Sequence, residues 1–486
     1  MARQSKASSS LGGIDITATI ESIRTQLAGD DSISPALRAS IELLIMVVSL
    51  LANRLGLNSR NSHTPPSADP NREKTPRPRS AKKPGGQPGH AGKTLQPFDE
   101  PDEVEFLAID RRTLPRGAYR EDGYERRQVV DIDISRIVTE YRAQVLVNEQ
   151  GQRFVAEFPA DLTRSIQYGP GIKVHAVYLS QYQLLPYQRI AEYFSDQLGI
   201  PLSAGSVVNF NLEAATRVVD SGAAAIIRQR LQHSAVLHAD ETGINIDGKR
   251  HWLHCASSTL WTQFSAHHKR GTEAMEDAGV IEAFRGVLCH DHWKPYYTYG
   301  QCIHALCNAH HLRELERAFE QDAQQWAKAM QELLISIHQA TEQAGGALSD
   351  RQAGYYRGQY RKILDQGESE SPPPDEQQRK PGQRGRIKRS KSRSLLERLR
   401  DYEQDVLRFM TDVNVPFTNN QGENDIRMTK VQQKISGCFR SIEGAETFCL
   451  IRGYLSTCRK HQCSASDALS ALFQRQLPGF FRDGAE

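Results

Sequence analysis

The sequence predicts a multidomain α+β protein: a mixed α/β core carrying a helical insertion, preceded by an N-terminal helical segment, a basic linker and a small β-rich module. Three observations lead there. The chain has 486 residues, more than one core usually serves, and its 38% apolar and 24% charged content is that of ordinary folded domains. Between residues 58 and 98 the composition shifts abruptly to Pro, Gly, Ser and basic residues, leaving almost nothing to bury. Beyond residue 233, apolar runs of strand length alternate with helical periods.

Residues 1–57 form the first segment. The pattern is helical from Ile14, breaks near Gly29–Ser34 and resumes at Pro35. Ile41, Leu44, Val48, Leu51 and Leu55 alternate spacings of three and four, an apolar seam that suits a packed core helix and a self-associating helix equally. The longest apolar run, Leu43–Ala52, is about half of what spans a bilayer, so no membrane segment is expected. The linker follows, with seven Lys/Arg between Arg72 and Lys93 against one acid, Glu73. A second basic tract, Arg379–Arg393, has eight basic residues in fifteen and no acid. In a chain of net charge +3, two such tracts are either local polyanion contacts or merely solvated stretches. The candidates for nucleic-acid binding are Arg72, Lys74, Arg77, Arg79, Lys82, Lys83 and Lys93 in the first, and Arg384, Arg386, Lys388 and Arg389 in the second.

Residues 99–160 alternate in the manner of short strands, as in Val129–Ile134 and Ala143–Val147, and predict the small β-rich module. Residues 161–232 read as helical. One helix carries Ile172–Gln183, and a second starts after Pro186 and ends at Gly199. Ser203 or Ser206 caps the next. That pattern is a possible DNA-reading helix-turn-helix, or plain helical packing.

Residues 233–314 hold the first part of the core. SAVLHADETGINI, KRHWLHCASS and TLWTQFSAHH read as three strands, the first two joined at Asp247–Gly248. A helix follows near Thr272–Ala278, then a strand Gly286–His290 ending at Asp291, a strand Cys302–Leu306, and a helix from Ala309. Residues 315–414 are helical and polar, interrupted by a disordered-looking stretch at 367–394. Residues 415–458 add helices at Gly422–Lys430 and Leu450–Cys458, and 459–486 form a tail. Meander, helix, strand, helix and strand, in that order, match a ribonuclease-H-like core interrupted before its last helix.

Asp240 stands at the end of the apolar run Ala235–Leu237, and Asp291 ends GVLCHD. A carboxylate on a central strand costs free energy unless it is paired or binds a cation. Glu423, in PFTNNQGENDIR, begins a helix able to pack on the same sheet edge. Each acid alone could simply cap a helix or pair with an Arg. Together, two Asp and one Glu offer hard oxygen ligands suited to two Mg²⁺ (or Mn²⁺) ions and phosphodiester chemistry. Glu241 points to the opposite face from Asp240 and is not taken as a ligand.

All eight cysteines follow residue 250 without CxxC pairing, which fits reduced thiols in a cytoplasmic protein. Cys302, His304, Cys307, His310 and His311 cluster in sequence, but the strand-to-helix switch should scatter them, and no zinc is expected.

The chain resembles the large transposase of the insertion-sequence-66 family over most of its length. NSRNSHTPPSAD and KKPGGQPGHAGKTL resemble that family's linker; HADETG, GVLCHDHWKPYY, CNAHHLREL and NNQGENDIRMTKVQQKISGCFRS resemble its catalytic blocks, in order. The resemblance implies that Asp240, Asp291 and Glu423 form a DDE triad and that His310 and Arg313 lie near the active site. His310 and Arg313 are three apart and share a helix face. Arg427, four after Glu423, is placed to orient that carboxylate or to bind phosphate. Asn419 and Asn420 are candidate caps, with DNA contact as the second role. Relatives carry a cysteine-based zinc module where residues 95–232 of this chain have no cysteine, and Thr418 replaces an acid found there in relatives.

The resemblance implies metal-dependent cleavage at insertion-sequence ends and strand transfer into target DNA. The partners it implies are double-stranded DNA, a second copy of the chain in the DNA complex, and small accessory proteins from the same element; no membrane is involved. A catalytically silent DNA-binding remnant would have lost a triad acid, and all three are present. A structure-specific nuclease of the same fold would need neither the basic arm nor a self-associating helix.

Overall fold

The computed structural model describes residues 10–11, 14–30, 32–55, 57–62, 69, 95–375 and 387–482. The basic candidates from Arg72 to Lys93, together with Arg384 and Arg386, lie outside them. Fifteen α-helices and a mixed five-stranded sheet among the described residues make an α+β protein.

At the N-terminus a two-residue pair, β1 (Ser10–Leu11) and β2 (Ile14–Asp15), leads into α1 (Ile16–Gly29) and α2 (Pro35–Leu55). Leu27 and Ile45 are buried, whereas Leu44, Val48 and Leu51 of the expected seam are exposed. By length and composition alone α2 is apolar enough to cross a bilayer, a test that a core helix of a soluble protein or a signal sequence passes equally, so it does not by itself contradict the expectation of no membrane segment. Helix formation joins Pro35–Glu42 to that run, so its two charges, Arg38 and Glu42, interrupt an apolar window of 18 residues rather than bounding one of ten.

The expected β-rich module is mostly irregular. Its regular structure is a 3₁₀ turn at Arg111–Thr113 and one hairpin, β3 (Val145–Val147) with β4 (Arg153–Val155). Val129–Ile134 is not a strand. Alternation makes a strand only where one face is buried, and here Val129 is 94% and Ile137 90% exposed.

A helical layer follows. α3 (Pro170–Val177) continues into a π-turn, and α4 (Tyr187–Leu198) ends at Gly199 in the left-handed conformation, φ 59°. Ser203 accepts a hydrogen bond from the Ser206 N–H and caps α5 (Ala204–Asp220), which is followed by α6 (Ala223–Gln232). The helix-turn-helix shape is therefore present. Its second helix buries Val207, Phe210, Ala214 and Val218, and its one cation, Arg217, pairs with Glu213 at 2.7 Å. A 510 Å³ cleft between α4 and α5 carries Glu192 and Asp196, which disfavour a polyanion there.

The sheet has the order β7-β6-β5-β8-β9. β5 (Val236–Ile246), β6 (Lys249–Ser257) and β7 (Thr262–His267) form an antiparallel meander. Its first turn places Asp247 (φ 47°) and Gly248 (φ 75°) in the left-handed region, as a two-residue hairpin turn requires. α7 (Thr272–Ala278) leads to β8 (Val287–His290), parallel to β5, and then to β9 (Ile303–Leu306), parallel to β8. Alternation along β5 splits its side chains between two cores. Leu237 and Ala239 join α3, α5 and α6, while Ile244 and Ile246 join Leu253, Phe264 and later helices.

Between β9 and the last sheet-packing helices lie α8 (Asn308–Asp322), α9 (Gln325–Gln343), α10 (Asp350–Glu370), α11 (Lys391–Asp401) and α12 (Glu403–Leu407). Trp326, Met330, Leu334, Tyr360 and Leu396 of these helices pack into one core with Val287 and Cys289 of β8 and Ala305 and Leu306 of β9. Both ends of the disordered-looking stretch 367–394 are helical. Gly367 is buried where a Cβ would fall 2.5 Å from Leu396 Cδ1. The end of the second basic tract is structural too: Arg393 pairs with Glu368 and, at 2.9 Å, with Glu397, and Arg389 also pairs with Glu397. Lys388 remains exposed.

α13 (Asn420–Ser436) and α14 (Ile442–Lys460) return to the sheet. Gly453 lets α14 approach the outer strand: a Cβ there would sit 3.1 Å from the Thr262 carbonyl oxygen. The expected tail is instead α15 (Ala465–Phe473) and a 3₁₀ turn, whose Leu469, Leu472 and Phe481 are buried in the first core. The short apolar run 468–473 carried the signal.

Candidate active site

The middle of β5 and the residue after β8 set the site. The parallel register of the two strands pairs Val236 with Val287 and His238 with Cys289, so two residues further on Asp240 stands level with Asp291. Asp291 follows the end of β8 and accepts a hydrogen bond from the Trp293 N–H at 2.9 Å; His292 between them is at φ 68°. Asp240 accepts only from the N–H of Glu241, at 2.9 Å.

The N-terminus of α13 is stapled onto β5. Asn419 Nδ2 donates to the Ala239 carbonyl at 2.8 Å, and Asn419 Oδ1 meets His238 Nδ1 at 2.7 Å. Asn419 thus occupies the cap position without capping through its side chain. Gly422 permits the approach, since a Cβ there would fall 3.5 Å from Asp240 Cβ and 3.3 Å from Asn419 Nδ2. Glu423 comes next. Its Oε1 lies 3.8 Å from His310 Nδ1 and 3.8 Å from Cys307 Sγ. Cys307 begins α8 and accepts the Asn419 N–H at 3.1 Å, tying α8, α13 and β5 together.

The three acids therefore feel one another. Burial first, then the charges of Glu241, Asp291 and Glu423, push the Asp240 carboxyl up to about 8. No ion pair among the described residues involves Asp240 or Asp291. Crowded oxygens without a compensating cation fit a divalent ion, and hard oxygen donors suit Mg²⁺ or Mn²⁺.

Two nearby acids are accounted for differently. Glu241 is buried and accepts from Arg270 Nε at 2.9 Å and from the Tyr296 hydroxyl at 2.6 Å. The Arg270 guanidinium is stacked between Trp252, at 4.9 Å, and Trp293, at 4.3 Å. Asp425 pairs with Lys460 at 2.8 Å and bonds Ser257, fixing α13 to β6 and α14. Periodicity carried no signal for either network, although Glu241, Trp293 and Asp425 all lie inside blocks singled out in the sequence.

Of the supporting residues, His310 meets Glu423, and Arg313 lies half-buried one turn along α8. Arg427 and Asn420 are exposed on α13, and no ion pair among the described residues engages Arg427. The expected scatter of Cys302, His304, Cys307, His310 and His311 holds in part. His304 faces His290, Cys302 donates to the Tyr299 carbonyl and His311 meets Asn308, but Cys307 and His310 converge on Glu423.

Comparison with known proteins gives two family matches. Residues 7–96 match a family of unknown function (DUF6444), and residues 165–447 match the transposase IS66 family. No curated protein matches the chain. The second match covers β5, β8, α8 and α13 with all the residues of the site, and more than half of the chain. The chain belongs to the IS66 family of transposases, enzymes that process DNA.

Proposed function

We propose that this transposase cuts DNA at the ends of its insertion sequence and joins the freed 3′ ends to target DNA, using Asp240, Asp291 and Glu423 as a DDE triad. The single observation that carries the reading is the crowding of three carboxylates around the central strand β5, where burial first and then the neighbouring charges push Asp240 up to about 8. The sheet order, with a meander on one side of β5 and parallel strands on the other, supports a ribonuclease-H-like core. Residues 233–314 and 415–458 then form its two halves, and residues 315–414 an insertion whose core is continuous with β8 and β9.

Two divalent ions, when bound, would activate the attacking hydroxyl and stabilise the leaving oxygen. The protein's part is to hold oxygens. Asp240 presents its own from the middle of β5 and Asp291 from just past the end of the neighbouring β8, where the backbone fixes their spacing. Glu423 presents its own from the first turn of α13, anchored by Asn419. His310, in contact with Glu423, orients that carboxylate. Arg427, exposed one turn further along, supplies a phosphate contact beside the cut strand. The basic stretch before residue 95 and Lys388 would add salt-sensitive, sequence-independent affinity. Small companion proteins and a second copy of the chain belong to the same reading.

The test is incubation of the purified protein with a labelled element end, with and without Mg²⁺ or Mn²⁺. Metal-dependent nicking at the boundary, absent in Asp291→Ala, is expected. Binding without cleavage, even with the companion proteins added, would favour a silent remnant. Cleavage at structured DNA regardless of the end would favour a nuclease.

A further inference from the structure

Glu423 also meets a sulfur and a nitrogen donor. Cys307 Sγ, His310 Nδ1 and a Glu423 carboxylate oxygen all lie within 4.8 Å of one another. Sulfur and nitrogen are each 3.8 Å from the same oxygen. Around a tetrahedral zinc ion, with bonds of about 2.0–2.3 Å, such donors stand roughly 3.3–3.6 Å apart. The sulfur and the nitrogen each need to close on the Glu423 oxygen by only a few tenths of an ångström to meet that geometry. Backbone holds two of them in place: Cys307 and His310 occupy the first turn of α8, and Glu423 the first turn of α13. The Asn419 N–H points at Cys307 Sγ at 3.1 Å and holds the sulfur in place, and the thiol proton must leave to solvent when a metal binds.

Thiolate and imidazole discriminate strongly against Mg²⁺ and select borderline or soft ions. We propose that Cys307, His310 and Glu423 form a thiophilic metal site that binds Zn²⁺. Because it shares Glu423 with the triad, zinc bound there withdraws that carboxylate from Asp240 and Asp291 and switches the enzyme off. The inhibitory part rests on the functional reading above; the binding part does not. Two metal preferences meet at one carboxylate, hard on the strand side and soft on the side of α8.

Cobalt(II) is the probe, titrated into the full-length protein without DNA. A saturating thiolate-to-cobalt charge-transfer absorption is expected in the wild type. Cys307→Ser, whose hydroxyl can still accept the Asn419 N–H, should lose it. His310→Ala and Glu423→Gln should weaken cobalt binding at least tenfold, and they carry the test should Cys307→Ser fail to fold. Asp240→Asn should keep the band. No band in the wild type, or an undiminished band in Cys307→Ser, overturns the site. The second arm compares nicking in Mg²⁺ with and without added Zn²⁺, each protein against its own zinc-free rate. Equal zinc sensitivity in wild type and Cys307→Ser overturns the inhibitory role. A wild type that nicks nothing in any metal defeats the functional reading, while the cobalt titration still decides the site.

Discussion

Asp240, within β5, and Asp291, the residue after β8, stand level, because the parallel register that pairs His238 with Cys289 reaches them two residues further along. Strand geometry thus fixes the spacing of the two carboxylates, leaving only side-chain rotation free. Asp240→Asn keeps the shape and removes the ionisable carboxyl that a cation would hold. It is expected to abolish end cleavage while leaving binding of the element end within about twofold. Gel-shift and nicking assays on one preparation check this, and parallel loss of both in a folded variant would refute the assignment.

The same crowding sets a pH dependence. Asp240 is pushed up to about 8 from an ordinary 3.8, by burial first and then by Glu241, Asp291 and Glu423. Burial and Asp291 raise Glu241 as well. Between those values the folded chain holds a proton that the unfolded chain has released. That stability is fully present below about pH 4 and is lost as pH rises through about 8. Divalent cations should reverse the trend by binding the ionised carboxylates. Thermal melts should show Mn²⁺ raising Tm more at pH 8.5 than at pH 6. A pH-independent metal effect would show that Asp240 is not part of the ion site.

Asn419 connects the second half of the core to the first through its bonds to Ala239 and His238. Asn419→Ala removes both and leaves a buried carbonyl unpaired, at a cost of about 1–3 kcal/mol. Activity should fall further than stability, because the carboxylate of Glu423 loses its alignment with Asp240. Urea denaturation beside a cleavage assay separates the two. Activity that tracks only the folded fraction would reduce Asn419 to a structural bond.

Gly422 tests that approach directly. Ala at this position would put a methyl group 3.5 Å from Asp240 Cβ and 3.3–3.4 Å from the Asn419 amide. Neither neighbour is free to move, so α13 must retreat by a few tenths of an ångström. Gly422→Ala is expected to lower cleavage by an order of magnitude or more while costing no more than about 1 kcal/mol, since Ala favours the helix interior over Gly. Unchanged cleavage would mean that the strand–helix spacing is not critical.

The sequence was most informative where local chemistry decides structure. The Asp247–Gly248 turn, the Gly199 helix end, the Ser203 cap and the strand carrying Asp240 all follow from residue type and period, and the structure has them. Residues 99–160 misled because alternation such as that of Val129–Ile134 says nothing about whether another layer exists to cover one face. The last thirty residues misled in the other direction. The apolar run 468–473 marks a helix there, but the helices that bury Leu469 and Leu472 lie far away in sequence, and no local pattern names them. At the site, order along the chain brought out the three acids and His310. The roles of Asn419, Cys307 and Arg270 are long-range contacts that only the assembled sheet and helices define.

Arg270 is the clearest of these. It holds the carboxylate of Glu241, whose side chain is 2% exposed, while stacked on Trp293, the residue whose N–H fixes Asp291. Arg270→Ala leaves Glu241 buried with the Tyr296 hydroxyl as its remaining partner, which should cost on the order of 2–3 kcal/mol. Arg270→Lys restores charge without the flat, stacking fork and should recover only part of the loss. If the cost comes from the stranded carboxylate, Glu241→Gln should make the Arg270→Ala protein more stable, although each change alone is destabilising. A denaturation double-mutant cycle measures that coupling. Additive losses would place the cost in the Trp252–Trp293 stack instead, and would predict a displaced Trp293 with weaker cleavage even in the stabilised double variant.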